Sequence, residues 1–550
     1  MNYSFHNGPI SGIAVSNQYV ASAGYDNMVV LWDKSTNLSI NKCNHDHLVN
    51  QCSFSQDQSK LITASSDKTC RIWSVPDLKL LNVINVHEDD VMQAVFNING
   101  SMFATCSYDS SIKVFDIEGN LKFDFQGHSG LVERISWNNL GNIIASCGTD
   151  GTIRFWNIIS GKCEKIIDDL KFDVDDILHL NNDLWIAGVD DGRICIISEN
   201  GIQYINGHSS GIKCLSKFKN YVLSTGYDQK CNIWSYNEDN TLELIESFPL
   251  IPEVWARSVE FTDDRTIICA SFGSSYILYN RELKKWYFNG LNLSPSINAL
   301  HEIENKLFYV GDSGIVYSNS KKFTQVRSLC NSITSLNSRV FVAGQTGEVF
   351  DIMSMRVIFN AGYPINCLEC YESNYLIFGG YNGTISILNM LDTISLSKKL
   401  RIAKSAVKGI CISNEKICVG TADGTLAIID IKTLEIKKIT KNAHASILND
   451  VSSFENGFVT VSRDLTLRTW SFNGELIDIY STNFKFSIKT ISSSSNGRYS
   501  ALGTYGGEIN FFDHREKCWL LDKVWRPTTS GISSVIWSIE SSEFIFGSYN

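Results

Sequence analysis

His128, Ser146 and Asp150 stand at a spacing that could do acyl-transfer chemistry. A hydroxyl activated by an imidazole, itself oriented by a carboxylate, is the arrangement of a nucleophilic hydrolase. His208, Ser224 and Asp228 form a second set, and three more obey the same rule: His6, Ser22, Asp26; His45, Thr63, Asp67; and His444, Thr460, Asp464. In each, the His lies 20 or 22 residues before the Asp and the hydroxyl lies four before it. A tryptophan follows six after the Asp, at Trp32, Trp73, Trp156, Trp234 and Trp470. An active site is not repeated five times at one register, whereas a fold element is, so these sets are read as structural tetrads and no catalytic residue is assigned. A buried imidazole must be satisfied on both nitrogens, and a turn carboxylate can accept from one of them.

The elements that position these sets form a repeat. ASAGYDNMVVLWD (21–33), ITASSDKTCRIWS (62–74), ASCGTDGTIRFWN (145–157) and VTVSRDLTLRTWS (459–471) share one phrase: an apolar strand, a tight turn with Asp, and a second strand with an aromatic. The turn register recurs at Asp26, Asp67, Asp109, Asp150, Asp190 and Asp228, then at Gly273, Asp312, Thr346, Asn382, Asp423, Asp464, Gly506 and Asn550, with gaps of 34 to 45 residues. Short alternating runs between turn residues predict four strands per repeat, and helical periodicity is nowhere sustained. A period near 40 with four strands marks a β-propeller blade.

With these repeats, and with Gly127-His128 and Gly207-His208 opening innermost strands, the chain resembles the WD40-repeat superfamily over its whole length. The resemblance implies an all-β fold in which each His, Ser/Thr, Asp and Trp form a hydrogen-bonded chain within a blade. Propellers have four to eight blades. Fourteen registers therefore predict two seven-bladed propellers in tandem, 1–288 and 289–550. The last register falls at Asn550, which predicts a fourteenth blade lacking its outer strands. Either the chain is a fragment of a longer protein or an open edge awaits a partner's strand. At the other end, MNYSF stands where the outermost strand of a preceding blade is expected.

Hydrophobic residues make up 43% and charged residues 19% of the chain, as in a well-buried soluble protein. The start, MNYSFHNGPISG, has no basic and apolar leader pattern, and no apolar run reaches 18 residues. Sixteen cysteines are scattered singly along predicted strands, which suits free core thiols in a reducing cytoplasm or nucleus. Cys367 and Cys370 lie three apart on a strand and point to opposite faces, so no metal site is expected. No nucleotide-binding glycine motif opens a helix, and no cofactor is expected.

Charge divides unevenly. Residues 1–288 carry 23 Lys and Arg against 35 Asp and Glu, a net of −12, whereas residues 289–550 carry 25 against 23, a net of +2. The acid gathers just before innermost strands at Asp46, at Glu88, Asp89 and Asp90, at Asp173, Asp175 and Asp176, and at Glu253. These residues are expected either to form an acidic rim for a basic partner, disfavouring nucleic acid, or to be ordinary solvated loop charges. Trp255 and Arg257 are further partner candidates, the alternative being that Trp255 fills the space of a missing His. Corresponding loops of the second half carry Arg401, Lys404, Lys408, Lys485, Lys489 and Arg526, which could meet phosphate or an acidic protein. The innermost strands ISGIAV, VNQCSF, VMQAVF, VERISW and IKCLSK read as mostly apolar or small.

The expectation is a non-catalytic scaffold or adaptor that assembles other proteins, as a monomer or a subunit of a hetero-complex, with no membrane span. Two alternatives stay open: a recognition module of a longer protein whose catalytic or solenoid part lies beyond residue 550, and a subunit of an RNA- or tRNA-modifying complex.

Overall fold

The computed structural model describes residues 5–549 apart from 7, 182, 238–240, 252–253, 289–296, 312–313, 327, 373, 392–393 and 529–530. The described residues form strands and turns and no α-helix. Two compact units divide the chain: Met1–Leu293, unit 1, and Ser294–Asn550, unit 2. The boundary expected after residue 288 abuts 289–296, which lie outside the described residues, as do Asp312 and Asn550 among the turn registers.

Unit 1 contains seven four-stranded antiparallel sheets, each with its strands side by side in chain order. In the fourth sheet these strands are Val132–Trp137, Ile143–Gly148, Ile153–Asn157 and Lys162–Ile167. The second strand is almost wholly buried, because both of its faces are covered by neighbouring sheets, while the fourth strand alternates with solvent. The core therefore lies between sheets. Ala104, Ile112 and Val114 of the third sheet meet Val132, Ile135 and Trp156 of the fourth, and Phe125 stacks on Trp156 at 5.1 Å. The first strands lie beside one another in sequence order, and that of the seventh sheet lies beside that of the first. The fourth strand of the seventh sheet is Lys285–Phe288, and the strand expected at MNYSF falls on residues of which 1–4 lie outside the described set.

Turn chemistry explains the recurring Asp. Its carboxylate accepts the backbone N–H two residues on, from Thr69 to Asp67 at 2.9 Å and from Thr152 to Asp150 at 3.0 Å. The residue between takes a positive φ, 68° at Lys68 and 70° at Gly151. At Gly383, with φ 75°, a Cβ would run into the carbonyls of Ala403 and Ser405, so that turn requires glycine.

Among its described residues unit 2 repeats the plan with six four-stranded sheets and one two-stranded sheet, Ile532–Ser538 with Glu543–Ser548. In both units the first strand carries a β-bulge at its start. Pairing skips a residue between Val132 and Arg134, between Val174 and Asp176, between Ile212 and Cys214, and between Ile488 and Thr490. A bulge breaks the strict alternation of faces, so two consecutive side chains are delivered to the end where the first strands begin, which we call the mouth.

Candidate functional site

The structure brings each expected set together. His Nδ1 lies 2.8 to 3.0 Å from the carboxylates of Asp26, Asp67, Asp150, Asp228 and Asp464. His Nε2 lies 2.7 to 2.8 Å from Ser22, Thr63, Ser146, Ser224 and Thr460. The indoles of Trp32, Trp73, Trp156, Trp234 and Trp470 donate to those same hydroxyls at 2.7 to 2.9 Å. An indole N–H can only donate, so the hydroxyl accepts from Trp and gives its proton to His Nε2, and His Nδ1–H then donates to Asp. That connectivity is the one a nucleophilic triad uses. Here every hydroxyl-bearing residue is fully buried at 0% exposure and capped by the indole, so no substrate carbonyl can reach it. Burial holds His45 and His444 below the ordinary imidazole range in spite of Asp67 and Asp464. Against the upward push of burial, the hydrogen bonds and charge of His45 and His128 hold Asp67 and Asp150 well below the carboxylate range.

A sixth chain joins His87 to Asp109 at 2.8 Å and to Thr105 at 2.7 Å, with Phe115 in the place of Trp. The His and Asp spacing, without the Trp, was the signal for it in the sequence.

Other polar groups concentrate at the mouth and channel of unit 1. A cavity of about 360 Å³ is lined by Gln51, Gln93, Arg134, Asp176, Arg257 and Glu260 among others. The first strands, expected to be mostly apolar or small, thus present a polar lining. Asp176 accepts from Leu215 N at 2.7 Å, and burial pushes it up to about 6 against the pull of Arg134. Glu260 accepts from Ser216 at 2.6 Å and is pushed up to about 7 by burial. Lys213 Nζ sits 2.6 Å from Asp175 and 2.7 Å from Asp190, over the Tyr227 ring at 4.6 Å. Burial disfavours its ammonium, but the two carboxylates hold it well above the ordinary lysine range. Glu133 accepts from Tyr108 at 3.1 Å and faces Arg257 at 3.7 Å.

This geometry corrects the expected ring of solvent-facing acids. Asp90 is buried and accepts from Ser66 at 2.7 Å, Asp175 is paired with Lys213, and Asp176 is buried in the channel. Burial, with Asp175 and Asp190 nearby, pushes Asp173 up to about 8, which leaves it mainly protonated at neutral pH. Asp89 is half-buried; Asp46 and Glu88 are exposed, Asp46 in an ion pair with Arg71 at 2.5 Å. Glu253 lies outside the described residues. Trp255 is half-buried, edge-on to Tyr25 at 5.1 Å and stacked on Phe272 at 5.3 Å, while Arg257 points into the mouth network.

The second residue of the first strand also clamps neighbouring sheets together, as Asn50 of unit 1 does by donating to Val91 O at 2.9 Å, and unit 2 repeats that contact. Asn331 donates to Ile365 O at 2.8 Å, Asn366 to Val407 O at 2.9 Å and Asn449 to Ile488 O at 2.6 Å, each a clamp onto the next sheet. Asn298, just before its strand, does the same to Cys330 O at 3.0 Å. Among the described residues no group of three or more His, Cys, Asp or Glu could hold a metal ion. Likewise, no described helix is long and apolar enough to cross a membrane.

Successive four-stranded antiparallel sheets, with first strands adjoining and Trp–Ser/Thr–His–Asp chains inside the sheets, define a WD-repeat protein of β-propeller type. The model for the WD domain, G-beta repeat, matches residues 1–33, 38–74, 78–116, 119–157 and 200–235, so these segments of unit 1 are WD40 repeats. It is similar to the transcriptional corepressor LEUNIG_HOMOLOG of Arabidopsis thaliana, 26% identical over 39% of this chain and 33% of that protein. It is also similar to the nuclear distribution protein PAC1 of Komagataella phaffii, 24% identical over 44% of this chain and 64% of PAC1. The protein transport protein SEC13 of Chaetomium thermophilum is 39% identical over 15% of this chain and 28% of its own length. The matched region spans less than two thirds of each of these relatives.

Proposed function

We propose that the chain is a non-catalytic scaffold of two seven-bladed propellers, 1–288 and 289–550, on which other proteins assemble in the cytoplasm or nucleus. The observation that carries this reading is the capped hydroxyl: a constellation with the connectivity of a nucleophilic triad recurs in five sheets, buried and occupied by tryptophan. Rigid sheets then leave mouths, edges and loops as the surfaces available for recognition. The relatives' names, a corepressor, a nuclear distribution protein and a transport protein, agree with a role in assemblies. Free cysteines, most of them buried, favour a reducing compartment. Among the described candidate acids of unit 1, Asp46 and Glu88 are exposed and are the ones offered to a basic partner.

Affinity purification of the tagged protein from its own cells, with mass spectrometry and quantitation, tests the proposal. Proteins co-purifying in fixed ratio are the expected result. A bait that elutes alone and turns over a small-molecule substrate would overturn it.

A further inference from the structure

At the mouth of unit 1, Lys213 is paired with Asp175 and Asp190, and Arg257 faces Glu133, whereas two charges deeper in the channel have no such pairing. Strand pairing sets the levels. Gln51, Gln93, Arg134, Asp176, Cys214 and Ser258 stand at one level of the first strands, and Ser216 and Glu260 stand two residues further on, one level away from the mouth. All of them line the cavity of about 360 Å³. Ser53, Ser136, Leu178 and Glu260, at that second level, are half-buried and mark the side from which solvent reaches it.

Arg134 is buried, at 5% exposure. A guanidinium carries five N–H donors. Among the described residues this one makes a single hydrogen bond, from Nη1 to Glu133 O at 2.9 Å, and no ion pair. Asp176 on the next strand attracts it but is committed elsewhere, its carboxylate accepting from Ile177 N at 2.9 Å and from Leu215 N at 2.7 Å. Most of the Arg134 fork is therefore left to the cavity that it lines. Glu260 repeats the situation with the opposite sign. It accepts from Ser216 Oγ at 2.6 Å, makes no ion pair among the described residues, and is pushed up to about 7 by burial. The other two cations on the wall are engaged, Lys217 with the carbonyls of His179 and Leu180 at 2.9 Å and Arg257 with Glu133. Arg134 belongs to the fourth first strand and Glu260 to the seventh. In the closed order of first strands, two strands separate them on one side and three on the other, so they face one another across the channel.

We propose that the channel cavity of unit 1 binds a free amino acid as its zwitterion, with the carboxylate on the Arg134 fork and the ammonium on Glu260. A charge held away from water without a counter-charge is costly, and the zwitterion supplies both of the missing partners at once. The planar guanidinium matches the two oxygens of a carboxylate. A simple organic anion serves Arg134 alone and a simple amine serves Glu260 alone, so each leaves one charge as it was. The volume admits an amino acid together with its side chain and water. This site goes beyond the scaffold reading and does not rest on it.

The test titrates the full chain calorimetrically with the common amino acids one at a time, then with two derivatives of the tightest binder: the N-acetyl form, which lacks the cation, and the methyl ester, which lacks the anion. Expected are saturable binding of at least one amino acid and a loss of about tenfold or more for both derivatives. Glu260→Gln keeps an acceptor for Ser216 and removes a charge that no cation pairs, so this variant should melt no lower than the parent. It should bind the amino acid about tenfold more weakly and the N-acetyl form as the parent does. Arg134→Lys keeps the cation without the fork and should lose a similar factor for the amino acid. Lys219→Gln, which breaks an exposed pair with Asp264, is the control that leaves binding unchanged. Absence of saturable binding, or binding unaltered by both channel variants, overturns the site. A derivative that binds as tightly as its parent amino acid overturns the zwitterion. If an amino acid binds but no protein co-purifies from cells, the scaffold reading falls and the site stands; the reverse result removes the site and leaves the scaffold.

Discussion

Unit 1 and unit 2 solve one packing problem with the same two polar devices in different proportions. In unit 1 the His–Asp chains stitch strands within a sheet, at His6, His45, His87, His128 and His208, whereas the described residues of unit 2 hold one such chain, at His444. Clamps from one sheet to the next occur in both units, through Ser11 and Asn50 in unit 1 and through Asn298, Asn331, Asn366 and Asn449 in unit 2. The mouths differ too: where unit 1 has Glu133, Asp175 and Asp190, the matched positions of unit 2 hold Lys408, Asn449 and Arg463. The apolar packing between sheets is common to both, so the polar positions are free to diverge without loss of the fold.

The largest effect that would break this comparison is expected at Trp156. Trp156→Ala should destabilise unit 1 by about 3–5 kcal/mol in chemical denaturation, because a large buried ring is lost. Trp156→Phe keeps most of the ring and removes only the indole donor, for about 1 kcal/mol, and the natural Phe115 in the third sheet shows that this state is tolerated. Near-parental stability of the Ala variant would contradict the placement of the core between sheets.

Next in size is Lys213→Met, which strands Asp175 and Asp190 without their cation and should cost roughly 3 kcal/mol. Lys489→Met at the same register of unit 2 should cost nothing or stabilise. Equal losses would erase the distinction between the mouths. A smaller effect, about 1–2 kcal/mol, is expected for Asn366→Ala, which leaves the Val407 carbonyl without its clamp.

Acid should act more gently. Burial lowers His301 and His514 in unit 2 from near 6.5 to about 4. The folded value lies below the unfolded one, so the unfolded chain binds more protons. Stability from the neutral rings is complete above about 6.5 and is lost as pH falls towards 4. Urea midpoints across that window should fall, and His301→Asn should flatten the decline; a flat parental profile would count against the burial of these rings.

The repeat was legible because the turn Asp, the hydroxyl four before it and the Trp six after it are bound to fixed backbone positions. The mouth was not legible for an equally physical reason. Asp175 and Asp176, like Glu133 and Arg134, straddle the bulge, where adjacent residues leave the alternating pattern; a period-two reading assigns them to a loop or a core face. Gln51, Gln93 and Arg134 sit among apolar neighbours within short strands, so composition hides that they line a cavity. The charge inversion at Arg463 becomes visible only when the units are aligned by strand rather than by motif, since its sheet carries the conventional tetrad through His444 and Asp464.

The opposition of the two mouths is tested most directly by NMR titration of the lysine side chains at matched positions. Lys408 should titrate near 8, held down first by burial and then by Lys489, and should move upwards when Lys489 is replaced by Gln, while Lys213 should stay protonated well above the ordinary lysine value. An ordinary value for Lys408 that does not respond to Lys489→Gln would contradict the account.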